Sequence, residues 1–235
     1  MCGIFGAREL ERYLELYDLN RKRGTFATSL CVLTTQGDLV VHRWSGSITK
    51  KEAEKELVNS LKILEQKTQV PCEAKFYLGH TQAPTSAKRK YSRDTAHPFS
   101  FSEWVVAHNG VLTNFKDIKE NFDPKWPNPV DSSIIPFMVA AMLDTLGHKY
   151  DHTDILCQTL GLLQGTFGLW LFNANNRNIY LARCGSTVFI NALQNEFSSV
   201  EFKDSEPLPE GHLFQITPEG ITAIGMFDCD SPFFA

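Results

Sequence analysis

The sequence lacks three patterns that would define a class of function at once. Its six cysteines are scattered, with no Cys-x-x-Cys pair, which argues against a zinc ribbon and a dense disulfide framework. No apolar run approaches the roughly 18 residues of a membrane span, and no signal peptide precedes the first strand. The net charge of −4 argues against a nucleic-acid-binding surface. We therefore expect a soluble, cytoplasmic protein with reduced thiols that binds neither nucleic acid nor a membrane.

The sequence also predicts no cofactor and no metal. A Rossmann fingerprint, a phosphate-cradling P-loop and a metal-ligand cluster are all missing. The composition, 43% hydrophobic and 21% charged over 235 residues, is that of an ordinary globular protein. Because no linker or internal repeat divides the chain, residues 1–235 predict a single domain.

The first six residues, MCGIFG, place Cys2 where removal of Met1 would make it the N-terminus. An N-terminal cysteine carries an α-amine, with an ordinary pKa of about 7.7–8.0, beside its own thiol. The nucleophile therefore brings its own base. Ile4 and Phe5 predict a buried strand that holds this terminus in place. The alternative is a stray cysteine at the start of an ordinary core strand.

Hydrophobic spacing predicts helices and strands along the whole chain. The predicted helices are 9–20, 49–66, 115–122, 133–146 and 154–163, the second with a Thr49–Glu52 capping box. The predicted strands after the first are 29–34, 38–44, 75–81, 103–108, 166–172, 179–183, 187–191, 199–202, 212–216 and 221–224. Residues 82–100 predict a long surface loop and Asn109-Gly110 a tight turn. Strands at both ends with helices between them predict stacked antiparallel sheets with helices outside.

Four further stretches supply what a thiol needs to cleave an amide, namely oxyanion donors and charged groups that fix a substrate. They are Arg23-Gly24, GHTQAPT at 79–85, His108-Asn109-Gly110, and Asp131. Asn109 and the Gly110 N–H are suitable oxyanion donors, and Asp131 can hold an ammonium group. Taken singly, these features have structural alternatives: a hairpin turn for Asn109-Gly110, a helix N-cap for Asp131, and satisfied core or strand-end histidines for His80 and His108. The basic run Lys88 to Lys90 has one as well, a solvated face.

Together these stretches resemble the class II glutamine amidotransferases of the N-terminal nucleophile hydrolase superfamily. The resemblance runs through MCGIFG, RG, GHTQAPT, TAHPF, HNGVLTN, GTFG and LPEGHLFQITPEG. Their order and spacing are far more specific than any one of them. The resemblance implies an α+β fold, the four-layer αββα sandwich of two antiparallel sheets flanked by helices.

The resemblance also implies a role for each site residue. Cys2 would attack the side-chain amide of L-glutamine, form a γ-glutamyl thioester and release ammonia, with its α-amine relaying the proton. Asn109 and Gly110 would form the oxyanion hole, which Arg23 supports. The Gly110 carbonyl and the Asp131 carboxylate would hold the substrate ammonium. The pocket would be completed by residues of the 80–85 segment: His80, Gln82 and Thr85.

Gln82 departs from the family's pattern. Most members have an arginine there that pairs with the α-carboxylate of the substrate, a charge-assisted bond roughly twice as strong as a neutral one. Either another cation takes this part, or the substrate lacks that carboxylate. We favour the first, with the following candidates: Lys88, Arg89, Lys90 and Arg93.

In the family this domain is usually fused to a synthetase domain that consumes the ammonia. Because the chain stops at Ala235, we expect an isolated glutaminase half that delivers ammonia to a separate synthetase subunit. Two alternatives stay open: an N-terminal cysteine hydrolase of another amide, which Gln82 permits, and a catalytically silent binding or regulatory module. A processed N-terminus separates both enzymes from the silent module, because a retained Met1 blocks the α-amine.

Overall fold

A computed structural model describes residues 1–83 and 91–229. The strands are β1 (Gly3–Ala7), β2 (Ala27–Thr34), β3 (Leu39–Ser45), β4 (Ala74–Gln82), β5 (Phe99–Phe101), β6 (Trp104–Leu112), β7 (Gly165–Asn173), β8 (Ile179–Cys184), β9 (Phe189–Asn191), β10 (Glu196–Ser198), β11 (Glu206–Pro207), β12 (His212–Thr217) and β13 (Gly220–Met226). The helices are α1 (Leu10–Asn20), α2 (Lys50–Thr68), α3 (Phe115–Phe122), α4 (Ile134–Leu146) and α5 (His152–Gly161).

The strands form two antiparallel sheets. The first has the order β11-β9-β10-β1-β4-β2-β3 and the second the order β13-β12-β8-β7-β6-β5. Strand β1 is central in the first sheet, between β10 and β4. Strand β6 lies between β5 and β7 in the second. Strand β10 pairs with Phe5 and Gly6 of β1, and β5 pairs with the first three residues of β6, so the rest of β6 is paired through β7.

Three apolar clusters stack the elements in four layers. Helices α1 and α2 pack on the outer face of the first sheet through a cluster that includes Tyr17 and Leu57. Helices α4 and α5 cover the second sheet through a cluster that includes Met138 and Leu160. Between the sheets lies a third cluster that includes Trp170, whose indole N–H donates to the Gly79 carbonyl at 3.1 Å. The predicted αββα sandwich, an α+β fold, is confirmed.

Local sequence signals predicted the helices well. The capping box of α2 is present: Thr49 Oγ1 accepts from the Glu52 N–H at 3.2 Å, and the Glu52 carboxylate accepts from the Thr49 N–H at 2.7 Å. Helix α3 has the predicted bounds. The one proline inside a predicted helix, Pro136, is the third residue of α4, where its missing N–H leaves no intrahelical bond unmade.

The predicted turn at Asn109-Gly110 is wrong, because β6 continues through both residues to Leu112. Asn109 pairs with Gly168 and Gly110 with Phe167 on β7. Gly110 adopts a φ of +154°, and a Cβ there would lie 1.9 Å from the Thr166 carbonyl oxygen. The glycine therefore serves close strand packing and not a reversal of the chain.

Two other boundaries differ from the prediction. The expected loop over 82–100 ends early, because Phe99 starts β5 and pairs with Val106 on β6; residues 84–90 lie outside the described ranges. The strand expected at 199–202 is wrong, since β10 is Glu196–Ser198. It stops there because the hydroxyl of Ser199, and not its carbonyl, accepts the Ile4 N–H at 3.0 Å.

The expectation of reduced thiols fails for one pair. Cys184, the last residue of β8, forms a disulfide with Cys229, which follows β13, with a Cα–Cα distance of 5.6 Å. The register of β8 with β12 and of β12 with β13 brings these two chain segments together. The two cysteines are 45 residues apart in the sequence, so no local pattern predicts that they pair. The other four cysteines form no disulfide: Cys2, Cys31, Cys72 and Cys157.

Candidate active site

Cys2 is half-buried at the head of β1. Its Sγ accepts a hydrogen bond from the Ala83 N–H at 3.4 Å. Gly3 pairs with Thr81 on β4, so Cys2 lies at the level of Gln82. The preceding Met1 is 83% exposed, so its removal would uncover no buried apolar surface. The thiol is thus fixed by strand pairing while the residue before it faces solvent.

Arg23-Gly24 packs against the end of β4. A Cβ at Gly24 would lie 2.5 Å from the Thr81 carbonyl carbon, so a side chain there has no room. This close approach presents Arg23, whose Nη1 donates to the Ser199 carbonyl at 2.5 Å and to Thr187 Oγ1 at 3.2 Å. Burial lowers the pKa of Arg23, and the charge of the Cys2 sulfur acts in the opposite direction. A negative charge on the Cys2 sulfur would therefore interact favourably with the Arg23 guanidinium.

Asn109 reaches from the second sheet toward the first. Its Nδ2 donates to Ser199 Oγ at 3.0 Å, and the same oxygen accepts the Ile4 N–H at 3.0 Å. Ser199 therefore joins the predicted oxyanion donor to the strand that follows Cys2. Sequence reasoning missed Ser199, and none of the motifs that carried the resemblance includes it.

Asp131 lies beside the end of β6. Its Oδ2 accepts from the Leu112 N–H at 2.9 Å, and its Oδ1 accepts from the Ser132 N–H at 2.8 Å and from Ser132 Oγ at 3.1 Å. The N-cap position of α4 belongs to Ser133, whose side chain makes no capping bond, so the N-cap alternative does not describe Asp131. These bonds orient the carboxylate two residues beyond Gly110 on β6.

His80 and His108 are both buried. His80 is 1% exposed; its Nε2 lies 3.0 Å from the His108 carbonyl oxygen, and its ring stacks on His97 at 3.9 Å between centroids. His108 places Nδ1 at 2.8 Å from Ser132 Oγ and Nε2 at 3.1 Å from the Thr166 carbonyl oxygen. Burial lowers the pKa of His108, against the raising effect of Asp131. His80 thus contacts the backbone that leads into Asn109.

The side chain of Gln82 is also buried, at 1% exposure. Its Nε2 donates to the Thr95 carbonyl at 3.3 Å, so this amide holds the 93–95 segment. Arg93, one of the candidate cations, lines a polar cavity of about 430 Å³ together with Arg43 and Glu56. Four other predicted residues lie outside the described ranges: Thr85, Lys88, Arg89 and Lys90. Nowhere in residues 1–83 and 91–229 do three or more His, Cys, Asp or Glu side chains form a group that could hold a metal ion.

The sequence is similar to two curated enzymes of one kind. Glutamine–fructose-6-phosphate aminotransferase of Bacillus spizizenii is 24% identical over 199 residues, a match that covers 81% of this chain and 30% of that protein. A Saccharomyces cerevisiae protein with the same enzyme in its name is 28% identical over 239 residues, covering 88% of this chain and 86% of that protein. No protein-family model matches the chain.

The fold of this chain is similar to that of solved amidotransferase structures. Glutamine phosphoribosylpyrophosphate amidotransferase from Bacillus subtilis superposes with a TM-score of 0.64 at 16% identity, over 95% of this chain and 49% of that one. A glutamine aminotransferase class-II domain protein from Silicibacter pomeroyi gives 0.55 at 13% identity, over 97% of this chain and 100% of that one. The resemblance to the class II glutamine amidotransferases is confirmed. This chain spans less than a third of the length of the Bacillus spizizenii relative.

In the part of this amidotransferase-like chain that the structure describes, no helix has the length and apolarity to cross a membrane.

Proposed function

We propose that Cys2, after removal of Met1, hydrolyses the side-chain amide of L-glutamine and releases ammonia. One observation carries the proposal. Asn109 of the second sheet and Ile4, which lies on the strand that follows Cys2 in the first sheet, both donate a hydrogen bond to the Ser199 hydroxyl. An oxyanion donor and a candidate nucleophile are therefore tied together across the sandwich. The similarity to glutamine–fructose-6-phosphate aminotransferases supports glutamine as the substrate.

The proposed reaction proceeds in two halves. The Cys2 sulfur attacks the amide carbon, and the carbonyl electrons move onto oxygen, where Asn109 Nδ2 and the Gly110 N–H donate to the negative charge. The α-amine of Cys2 takes the thiol proton and passes it to the leaving nitrogen. The C–N bond then breaks, ammonia leaves and a γ-glutamyl thioester remains. Water adds to the thioester in the second half, releasing glutamate and the free thiol.

The substrate's charged groups need partners. The Gly110 carbonyl and the Asp131 carboxylate are the proposed ligands of its ammonium, with Thr85 and Gln82 toward the rest of the amino acid. The Gln82 amide is an uncharged donor, so it lacks the ion pair and the bidentate geometry that an arginine offers to an α-carboxylate. A nearby cation from Lys88, Arg89, Lys90 or Arg93 is proposed to supply the charge. If neutralising each of these four leaves glutaminase activity unchanged, that part of the proposal fails.

The ammonia needs an acceptor. The Bacillus spizizenii relative is more than three times as long as the matched region, and we propose that a synthetase partner consumes the ammonia released here. A single domain over 1–235 and a cytoplasmic location belong to the same proposal. The Cys184–Cys229 disulfide speaks against the location, because cytosolic thiols are usually held reduced.

Gln82 also favours a second candidate function. An amide substrate without an α-carboxylate would need no arginine at this position, so an N-terminal cysteine hydrolase of another amide fits the same catalytic residues. A silent binding module is the third reading, and a retained Met1, which blocks the α-amine, would leave only that one.

Intact mass before and after treatment with 6-diazo-5-oxo-norleucine, a glutamine-analogue electrophile, tests the three readings together. We expect loss of the methionine and one stoichiometric adduct, absent in Cys2→Ala and present in the matched control Cys72→Ala, which removes another partly exposed thiol. A processed but unlabelled chain would point to another amide. A retained Met1 would leave only the silent module.

A further inference from the structure

Ser199 lies where the pairing of β1 with β10 ends, and its hydrogen bonds to β1 differ from those of a regular strand pair. The register of β1 with β10 pairs Phe5 with Ser198, so the next pair is Ile4 with Ser199. In a hydrogen-bonded antiparallel pair the two residues exchange both backbone bonds. Here the Ser199 N–H donates to the Ile4 carbonyl at 2.8 Å, but the Ile4 N–H donates to the Ser199 hydroxyl at 3.0 Å. The hydroxyl has replaced the carbonyl.

The replacement releases the Ser199 carbonyl for other donors. Arg23 Nη1 donates to it at 2.5 Å and Thr187 Oγ1 at 2.9 Å. Bonds from a charged donor are stronger than neutral ones, so Arg23 fixes this peptide firmly. The backbone of Ser199 is thereby held by the first sheet on one side and by Arg23 on the other.

The hydroxyl of Ser199 also receives Asn109. A hydroxyl oxygen has two acceptor positions, and the Ile4 N–H and Asn109 Nδ2 use both. The Asn109 amide has two N–H groups; Ser199 takes one, which leaves the second for an oxyanion at Cys2. Rotation of the amide would break its bond to Ser199 in a site that is almost completely buried.

We propose that Ser199 is the positioning residue of the oxyanion hole. It orients the Asn109 amide by tying it to the strand that carries Cys2, and it makes no contact with the substrate. The inference rests on the proposed glutaminase activity. Removal of a fixed oxyanion donor lowers kcat by about 10²–10³-fold. An Asn109 amide that is free to rotate still donates part of the time, so the loss is smaller. Ser199→Ala should therefore lower kcat by about 10–100-fold with KM almost unchanged.

Ser198→Ala is the matched control. Ser198 is as buried as Ser199, and its hydroxyl also accepts two hydrogen bonds, from Asn20 Nδ2 at 2.8 Å and from the Val200 N–H at 2.9 Å. Neither donor belongs to the proposed site. Loss of this hydroxyl therefore imitates the structural cost of Ser199→Ala without releasing Asn109.

The test measures kcat and KM for ammonia release from glutamine, and the rate at which iodoacetamide alkylates Cys2 in the N-terminal peptide. Alkylation is a direct displacement that forms no oxyanion, so it reports on the thiol alone. We expect kcat of Ser199→Ala to fall by about 10–100-fold, while its KM and its alkylation rate stay within about twofold of the wild-type values. Ser198→Ala should retain all three values.

Several outcomes would overturn the inference. Full kcat in Ser199→Ala would do so, as would equal losses in both serine variants or a slowed alkylation, because these indicate a general structural role. Where Ser199→Ala does not fold, Ser199→Cys, whose sulfur is a weak acceptor of similar size, must show the same loss of kcat. A processed wild-type protein that releases no ammonia from glutamine would overturn the proposed function itself, and this inference with it.

Discussion

The ring of His80 lies 3.0 Å from the carbonyl oxygen of His108, the peptide group that leads into Asn109. His80 belongs to β4 of the first sheet and His108 to β6 of the second, so this contact joins the sheets directly behind the proposed oxyanion hole. The sequence predicted that His80 lines the substrate pocket. That role stays a prediction, and the burial and backbone contact of His80 favour a second one, the support of β6.

The two roles of His80 differ in their kinetics. His80→Ala removes a hydrogen bond and a ring contact, and we expect kcat for glutaminase to fall about tenfold, which corresponds to about 1.4 kcal/mol, with KM within twofold. A pocket-lining residue would instead raise KM. Steady-state ammonia release decides between them, with the exposed His148→Ala as the control that should behave as wild type. A raised KM at unchanged kcat would restore the pocket role.

Gly110 and Gly46 form a natural pair for testing the strain on β6. Both have positive φ, +154° and +79°, but a Cβ at Gly110 would lie 1.9 Å from the Thr166 carbonyl oxygen, whereas the nearest atom to one at Gly46 is 3.9 Å away. We expect Gly46→Ala to cost about 1 kcal/mol of unfolding free energy from the backbone alone. Gly110→Ala should cost at least about 3 kcal/mol, because the strands must also separate. Urea unfolding of both variants measures this, and similar losses would contradict it.

The parts of this molecule that the sequence predicted are held by local interactions. The Thr49 cap bonds to Glu52, three residues away, and strand alternation depends only on neighbours. The proposed oxyanion hole is different: Asn109-Gly110 has the composition of a turn, yet pairing with β7 keeps it extended. Ser199 meets Ile4 across 195 positions and Asn109 across 90. No local sequence pattern encodes such contacts, so the hydrogen bonds that join Ser199 to Ile4 and Asn109 can be seen only in the folded chain.

The disulfide between Cys184 and Cys229 makes a countable prediction. Titration of the denatured, unreduced protein should find four thiols, and six after reduction, because two of the six cysteines form the disulfide. Closing a loop of 45 residues should contribute on the order of 2–4 kcal/mol. The double variant with Cys184→Ala and Cys229→Ala should lose that amount in urea unfolding. Cys157→Ala, a buried thiol outside the pair, controls for packing, and six reactive thiols without reductant would refute the bridge.

His108 predicts the direction of pH dependence in stability. Burial lowers its pKa below the ordinary value of 6.5, whereas the unfolded chain restores that value. Below about pH 6.5 the unfolded state therefore binds more protons, and stability falls as the pH drops toward the folded-state pKa. Above 6.5 this contribution is fully present.

The measurement compares unfolding free energies at about pH 7.5 and pH 5.5 in wild type and His108→Gln. The variant also loses hydrogen bonds at both pH values. The informative quantity is therefore the change in unfolding free energy between about pH 7.5 and pH 5.5 within each protein, and this change should be smaller in the variant. His42, whose pKa burial also lowers, is only half-buried, and His42→Gln should reduce that difference less. An unchanged difference in His108→Gln would contradict the prediction, because it would mean that the folded state accommodates protonation of this ring, with the Asp131 charge offsetting the effect of burial on its pKa.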